Sequence, residues 1–347
     1  MRRFVCAVLI LGLCLSGCAA NTEPEQKQYT ATFLNLFDTV TTITGRADSQ
    51  ETFTETAQSI HDALLAYHQL FDIYNDYDGL NNLKTVNDNA GIAPVEVDSR
   101  IIDLLSDCKA YHEATGGVVN PAMGSVLQLW HVARYDGIND PANAYLPDRE
   151  ALRAAAEHMD MDALVIDEGA STVFLSDPEV QLDVGAIAKG WSVQRVCENA
   201  PSGLLISVGG NVCATGPKDA AGTPWVVGIQ NPDGGDSYLH TLTVTEGSVV
   251  TSGDYQRAYV VEGELYHHII DPATLYPSTR WRSVTILCGD SGLGDALSTA
   301  LFVLPLEAGQ QLLDTLGAEA MWVDREGKRF YSPGFEQSLR TSVEVKS

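Results

Sequence analysis

Four short segments of the 347-residue chain carry the residue types that bind phosphate, hold a divalent cation or move a proton. The first is Leu182-Asp183-Val184-Gly185-Ala186-Ile187-Ala188-Lys189-Gly190-Trp191. Its pattern predicts a short strand (VQLDV), a Gly-Ala turn and then a helix. Such a junction offers free backbone N–H groups and a positive helix end to an anion. Lys189 adds a point charge in the first turn. The spacing is neither that of a Walker loop nor GxGxxG. In the second segment an apolar strand, Leu204–Val208, ends in Gly209-Gly210-Asn211. Paired glycines at a strand end suit a tight turn or a flat ligand lying against the backbone.

The third segment has two parts, Thr251-Ser252-Gly253-Asp254-Tyr255 and Tyr266-His267-His268-Ile269-Ile270-Asp271-Pro272. Read as a strand, the second part puts His267 and His268 on opposite faces, with His268 on the face of Ile270. Either imidazole could serve as a general acid or base near neutral pH. The fourth segment, Gly294–Leu301, places Asp295 and Thr299 four residues apart. On a helix they share one face, giving a carboxylate and a hydroxyl of the hard-oxygen kind that Mg²⁺ prefers. Each segment has a plainer reading taken alone: a strand-to-helix connection, a turn, an exposed histidine, a first-turn acid on a helix dipole.

The elements that must position these groups follow from hydrophobic period and punctuation. Residues 31–45 read as a strand or hairpin, 49–71 as a helix, and the Asn- and Gly-rich stretch 75–91 as a long irregular loop. Helices are expected at 98–114 and 148–160, with a turn and short helix over 115–130. From residue 163 short alternating strands dominate, broken by helices near 188–199 and 294–317. Hairpin-linked strands with a few long helices on one side predict an α+β fold.

The N-terminus sets the expected compartment. Arg2 and Arg3 precede an apolar run from Phe4 to Leu15. That run is shorter than the roughly twenty residues needed to span a bilayer and has the length of a signal-peptide core. Leu15-Ser16-Gly17-Cys18 resembles the lipobox of bacterial lipoproteins, in which the cysteine is acylated and becomes the new N-terminus. The expected organisation is a lipoprotein signal peptide at 1–17, a lipidated flexible tether at 18–30 and a catalytic domain at 31–347. A formal net charge of −25 argues against a nucleic-acid partner and leaves membrane attachment to the acyl chains. Cys108, Cys197, Cys213 and Cys288 are widely spaced without a CxxC pair, so no zinc site is expected, and their pairing is left open.

In order and wording the four segments resemble the ApbE family of FAD:protein FMN transferases. The matching stretches are 183–191, 209–211, 251–254, 268–272 and 295–299, together with TGGVVNPAMGSVLQLW at 115–130 and the early LFDTVTTI. The resemblance spans residues 31–335 and implies an ApbE-like (T-fold-like) arrangement of mixed, mainly antiparallel sheets with a few long helices packed on them. Two departures stand out: Leu275 where the family has glycine, and Asn120 where it often has Asp.

Carried over residue by residue, the resemblance implies Mg²⁺ held by Asp295, Thr299 and the Ala186 carbonyl. It implies FAD contacts from Phe37, Asn120, Asp183, Lys189, Gly209, Gly210, Asn211, Ser252 and Ile270, and proton transfer through His268. The implied reaction moves FMN from FAD to a Ser or Thr hydroxyl of an exported or membrane electron-transfer flavoprotein and releases AMP. An FAD pyrophosphatase giving free FMN and AMP, and a non-catalytic flavin-binding lipoprotein, are the alternatives. The protein is expected at the extracytoplasmic face of the cell membrane, anchored through Cys18.

Overall fold

The computed structural model describes residues 26–235 and 237–340. The expected signal peptide, Cys18 and most of the expected tether lie outside the described residues. Eight antiparallel strands form one sheet in chain order: β1 (Lys27–Leu36), β2 (Thr39–Ala47), β3 (Leu204–Val208), β4 (Asn211–Thr215), β5 (Glu246–Gly253), β6 (Trp281–Cys288), β7 (Glu319–Asp324) and β8 (Arg329–Tyr331). The first strand thus starts at Lys27, inside the stretch read as tether.

The helices are α1 (Gln50–Phe71), α2 (Leu83–Asp88), α3 (Ser99–Ala114), α4 (Gly124–Asn139), α5 (Arg149–Ala156), α6 (Ala188–Asn199), α7 (Ser291–Val303) and α8 (Leu306–Leu316). Several starts are set by side-chain caps: Ser49 accepts from the Thr52 N–H, Asp148 from those of Glu150 and Ala151, and Asp290 from that of Leu293. Alternation along the strands separates two cores. Val250, Val284, Ile286, Ala320 and Trp322 face the layer of α3, α6, α7 and α8. Ala214, Val249, Met321 and Val323 face the hairpin Trp225–Gln230/Tyr238–Val244 on the other side. The architecture is the expected α+β class, with α1, α6 and α7 packed on the sheet and α4 and α5 forming a separate cluster around Tyr259 and Ile270.

Five local expectations are corrected. The stretch 75–91 contains α2, closed by a capping box between Asn82 and Thr85. VQLDV is not a strand. Both backbone groups of Leu182 are taken by the Asn87 side chain (2.8 and 3.0 Å), and the Asp183 N–H donates to the Pro121 carbonyl (2.8 Å). Helix α4 runs on to Asn139, well past the short helix expected. The helical stretch 294–317 is two helices, because Pro305 has no N–H to continue the first. His267 and His268 lie between the strands Glu264–Tyr266 and Ile270–Asp271 rather than within one.

None of the described helices is long and apolar enough to cross a membrane. Cys108, Cys197, Cys213 and Cys288 are all free thiols.

Candidate active site

The predicted segments meet at one cavity of about 430 Å³. Helix α6 supplies Lys189, α7 supplies Asp295 and Thr299, β5 supplies Ser252, and the β3–β4 turn supplies Gly209. The α6–α7 contact is tight because Gly190 has no side chain. A Cβ there would run into the Ser291 carbonyl oxygen, the Asp295 Cβ (2.5 Å) and the Asn211 Nδ2 (2.8 Å). Gly209, with φ of 49°, sits against the Thr39 side chain at the β1–β2 turn.

The buried Asp295 carboxylate is the electrostatic centre of the polar end. Its Oδ1 lies 3.0 Å from Lys189 Nζ, and its Oδ2 accepts the Gly190 N–H at 2.8 Å. Lys189 Nζ also donates to Asn211 Oδ1. The Ser298 hydroxyl donates to the Asp295 carbonyl (2.9 Å) and meets the Ser252 hydroxyl at 2.8 Å, which ties β5 to α7.

Because the Gly190 N–H goes to Asp295, it leaves the Ala186 carbonyl without the helical partner that an i to i−4 bond would give. Ala186 and Thr299 both line the cavity. A free carbonyl, a free hydroxyl and a carboxylate form an all-oxygen donor set of the type a Mg²⁺ ion takes with water and phosphate. The described residues contain no cluster of three His, Cys, Asp or Glu side chains, and this set holds a single carboxylate. The buried Asn211 Nδ2 is also unpartnered beside it.

The histidine pair is separated by its hydrogen bonds. His267 spends both nitrogens within the fold, donating from Nε2 to the Ser278 carbonyl (2.8 Å) and accepting the Ile269 N–H at Nδ1 (3.2 Å). His268 lines the cavity, and its Nδ1 faces the Gln256 carbonyl at 3.1 Å. A carbonyl only accepts, so Nδ1 carries the proton and Nε2 is left with a free lone pair. Burial, helped by the Arg257 charge, pulls the His268 pKa down to about 3. Burial likewise pushes the Asp183 carboxyl up, against the Gly185 N–H that donates to its Oδ1 at 2.8 Å.

Other expected contacts are placed differently. Asn120 lines the cavity, but its Nδ2 donates to the Met159 carbonyl (2.8 Å) and its Oδ1 accepts the Ala122 N–H (3.0 Å), so its amide shapes the loop. Phe37 sits in the β1–β2 turn with φ of 51° and lines a smaller adjoining cavity, edge-on to His68. Asn211 and Gly210 stand behind the lining, Asn211 through Lys189 and Gly210 through its carbonyl, which accepts the Thr251 N–H at 3.1 Å. Ile270 lines the apolar end with Met123, Leu127, Trp130, Tyr259 and Tyr266. Leu275 keeps the left-handed conformation that glycine would favour, with φ of 63°, and its carbonyl accepts the Trp130 indole N–H at 2.9 Å.

Several lining residues were not picked out from the sequence. Tyr74 stacks on His131, with centroids 5.0 Å apart. It is held there because Asp72 accepts from the Tyr74 and Asn75 backbone N–H groups and from the Tyr77 hydroxyl. Arg134 and Arg257 line the same wall. They come from separate elements, and no short spacing in the sequence links them.

The antiparallel α+β fold and this cavity define a class of protein whose polar end carries groups able to hold phosphate and a divalent cation, beside an aromatic, apolar end. The chain belongs to the ApbE family, whose profile matches residues 37–322. It is 35% identical over 277 residues to a FAD:protein FMN transferase of Treponema pallidum (strain Nichols), covering 74% of this chain and 75% of that protein. A FAD:protein FMN transferase of Klebsiella pneumoniae (strain 342) is 33% identical over 261 residues, covering 72% of this chain and 78% of that one. The crystal structure of the ApbE protein of Thermotoga maritima superposes with a TM-score of 0.80 at 30% identity, over 91% of this chain and 100% of that one. The flavin transferase ApbE of Vibrio cholerae shares the fold, with a TM-score of 0.73 at 21% identity over 90% of this chain and 100% of that one.

Proposed function

We propose that the protein transfers FMN from FAD to a Ser or Thr hydroxyl of an exported flavoprotein, with AMP as the leaving group. The observation that carries this reading is the joining, in one cavity, of the Asp295/Thr299/Ala186 oxygen set with a neutral His268 whose Nε2 is free. Family membership and the names of the relatives support the choice of FAD and of a protein acceptor.

In this reading Asp295, Thr299 and the Ala186 carbonyl hold Mg²⁺. When bound, the ion supplies a positive charge that stabilises the pyrophosphate as charge builds on it. Lys189 stays within the same polar end and screens the Asp295 charge before FAD arrives. His268 Nε2 accepts the proton of the attacking hydroxyl. The hydroxyl oxygen forms a bond to the riboflavin-side phosphorus while the bond from that phosphorus to the bridging oxygen breaks. That oxygen leaves on AMP. The Gln256 carbonyl holds the imidazole in the tautomer this step needs. Tyr74, Trp130 and the apolar wall offer flat surfaces for a ring system.

We further propose that Cys18 carries lipid and anchors the protein to the extracytoplasmic face of the cell membrane, where exported or membrane electron-transfer proteins are its acceptors. The metal assignment is tested by Asp295→Asn. Release of AMP from FAD should fall by at least roughly a hundredfold while the protein stays folded by circular dichroism. Unchanged AMP release would refute the assignment.

A further inference from the structure

Arg134, on α4, and Arg257, in the loop after β5, line the same cavity as Asp38 and Asp183. Arg134 donates from Nη1 to the Arg257 carbonyl (3.4 Å) and from Nη2 to His131 Nδ1 (3.1 Å). Arg257 donates from Nη2 to the Phe37 carbonyl (3.3 Å). Among the described residues neither guanidinium lies within 4.0 Å of an Asp or Glu oxygen. A guanidinium offers five N–H donors in a planar fork, so most of the donors on this pair meet nothing in the protein.

The surroundings do not neutralise them. A guanidinium always donates, so His131 Nδ1 is an acceptor and the ring is uncharged. Burial first, and then Arg257, push the Arg134 pKa down. Asp183 and Asp38 line the same cavity, but neither carboxylate comes within ion-pair reach of either guanidinium. Two like charges in a partly desolvated wall repel each other unless an anion joins them. The chain as a whole carries −25, with 46 acidic side chains from which such a partner could have been drawn. None stands here within ion-pair reach. Arg257 is exposed and Arg134 half-buried, which puts the pair at the cavity rim. Gln256, whose carbonyl fixes His268, is the residue before Arg257.

We propose that Arg134 and Arg257 form an oxyanion subsite at the rim, beside His268, that grips a phosphate or a carboxylate. Two paired forks suit a planar or tetrahedral oxyanion better than a point charge would. The Arg257 bond to the Phe37 carbonyl also spans from this loop to the β1–β2 turn, so an occupied subsite would sit under a bridged rim. The ligand class rests on the transferase reading, in which FAD supplies a phosphate; a carboxylate on the acceptor is the other oxyanion that a guanidinium fork takes.

Binding measured in EDTA separates these sources without turnover. FAD is compared with riboflavin by flavin fluorescence. A synthetic threonine peptide with a neighbouring Asp is compared with its Asn counterpart by anisotropy. Arg134→Met and Arg257→Met keep the apolar stem and remove the fork. At least one charged ligand should bind roughly tenfold or more weakly to the variants, with its uncharged counterpart little changed. A loss confined to FAD identifies the phosphate, and a loss confined to the Asp peptide identifies the carboxylate. Equal losses for charged and uncharged ligands, or none for any ligand, would overturn the subsite. So would an absence of charge-dependent binding by the unmodified protein. If the half-buried Arg134→Met variant fails to fold, the exposed Arg257→Met decides alone. Because no step is catalysed in EDTA, failure here leaves the transferase reading standing, and absence of transfer leaves these binding results standing.

Discussion

At the scale of single residues, the acid–base behaviour of His268 is set by what encloses it. Burial and the nearby Arg257 charge lower its pKa to about 3 from an ordinary value near 6.5. The imidazole of the free protein is therefore neutral and able to accept a proton down to low pH. The acid limb of kcat/KM, which reports the free enzyme, should show no histidine-like fall between pH 7 and 5. The phosphates of bound FAD would offset the arginine charge that depresses this pKa, so the acid limb of kcat should lie at higher pH than that of kcat/KM. Steady-state rates of AMP release across pH check both, and a shared limb near 6.5 would contradict them. The linkage to stability has the same sign: a neutral histidine buried by folding contributes fully above the unfolded value and loses that contribution as pH falls toward the folded one.

Much of this chemistry was legible in residue order. Asp295 and Thr299 stand four apart, and that spacing alone placed them on one helix face. The choice between His267 and His268 was not legible by spacing, because it depends on which carbonyl each nitrogen meets. Arg134 and Arg257 were invisible for a related reason. Their proximity is made by the fold, from α4 and a loop far along the chain.

At the scale of elements, the site depends on how closely α6 and α7 approach. Gly190 permits that contact, with the Ser291 carbonyl and Asp295 where a side chain would be. Gly190→Ala should separate the two helices, costing about 1–3 kcal/mol of stability and most of the activity. A fall in Tm together with lost AMP release checks this, and an unchanged Tm would show that the helices have room to spare. Element boundaries were less legible than element types. Pro305 split a stretch whose hydrophobic period ran through it, and the side chain of Asn87 replaced the strand partner that VQLDV was expected to have. Leu275 shows the reverse case: the backbone keeps the left-handed turn even without glycine, and the Trp130 indole N–H bonds to its carbonyl.

At the scale of the whole molecule, the eight-stranded meander brings residues from 38 to 299 around one cavity. The α+β class was legible from short alternating strands, whereas the wrapping that brings the Tyr74 loop and α4 to the site was not. The acidic composition, at −25, gives no electrostatic attraction to anionic lipid, so any membrane attachment rests on the proposed lipid at Cys18. Cys18→Ser should move the exported protein from the membrane pellet to the soluble fraction, and retention in the pellet would contradict the anchor. The central claim is transfer of FMN to a protein hydroxyl, and the intact mass of an acceptor tests it most directly. With FAD, Mg²⁺ and an exported flavoprotein fragment bearing a reactive threonine, the acceptor should gain one FMN in phosphoester linkage. AMP should appear in equal amount, and a Thr→Val acceptor should stay unlabelled. Free FMN and AMP beside an acceptor of unchanged mass would contradict it.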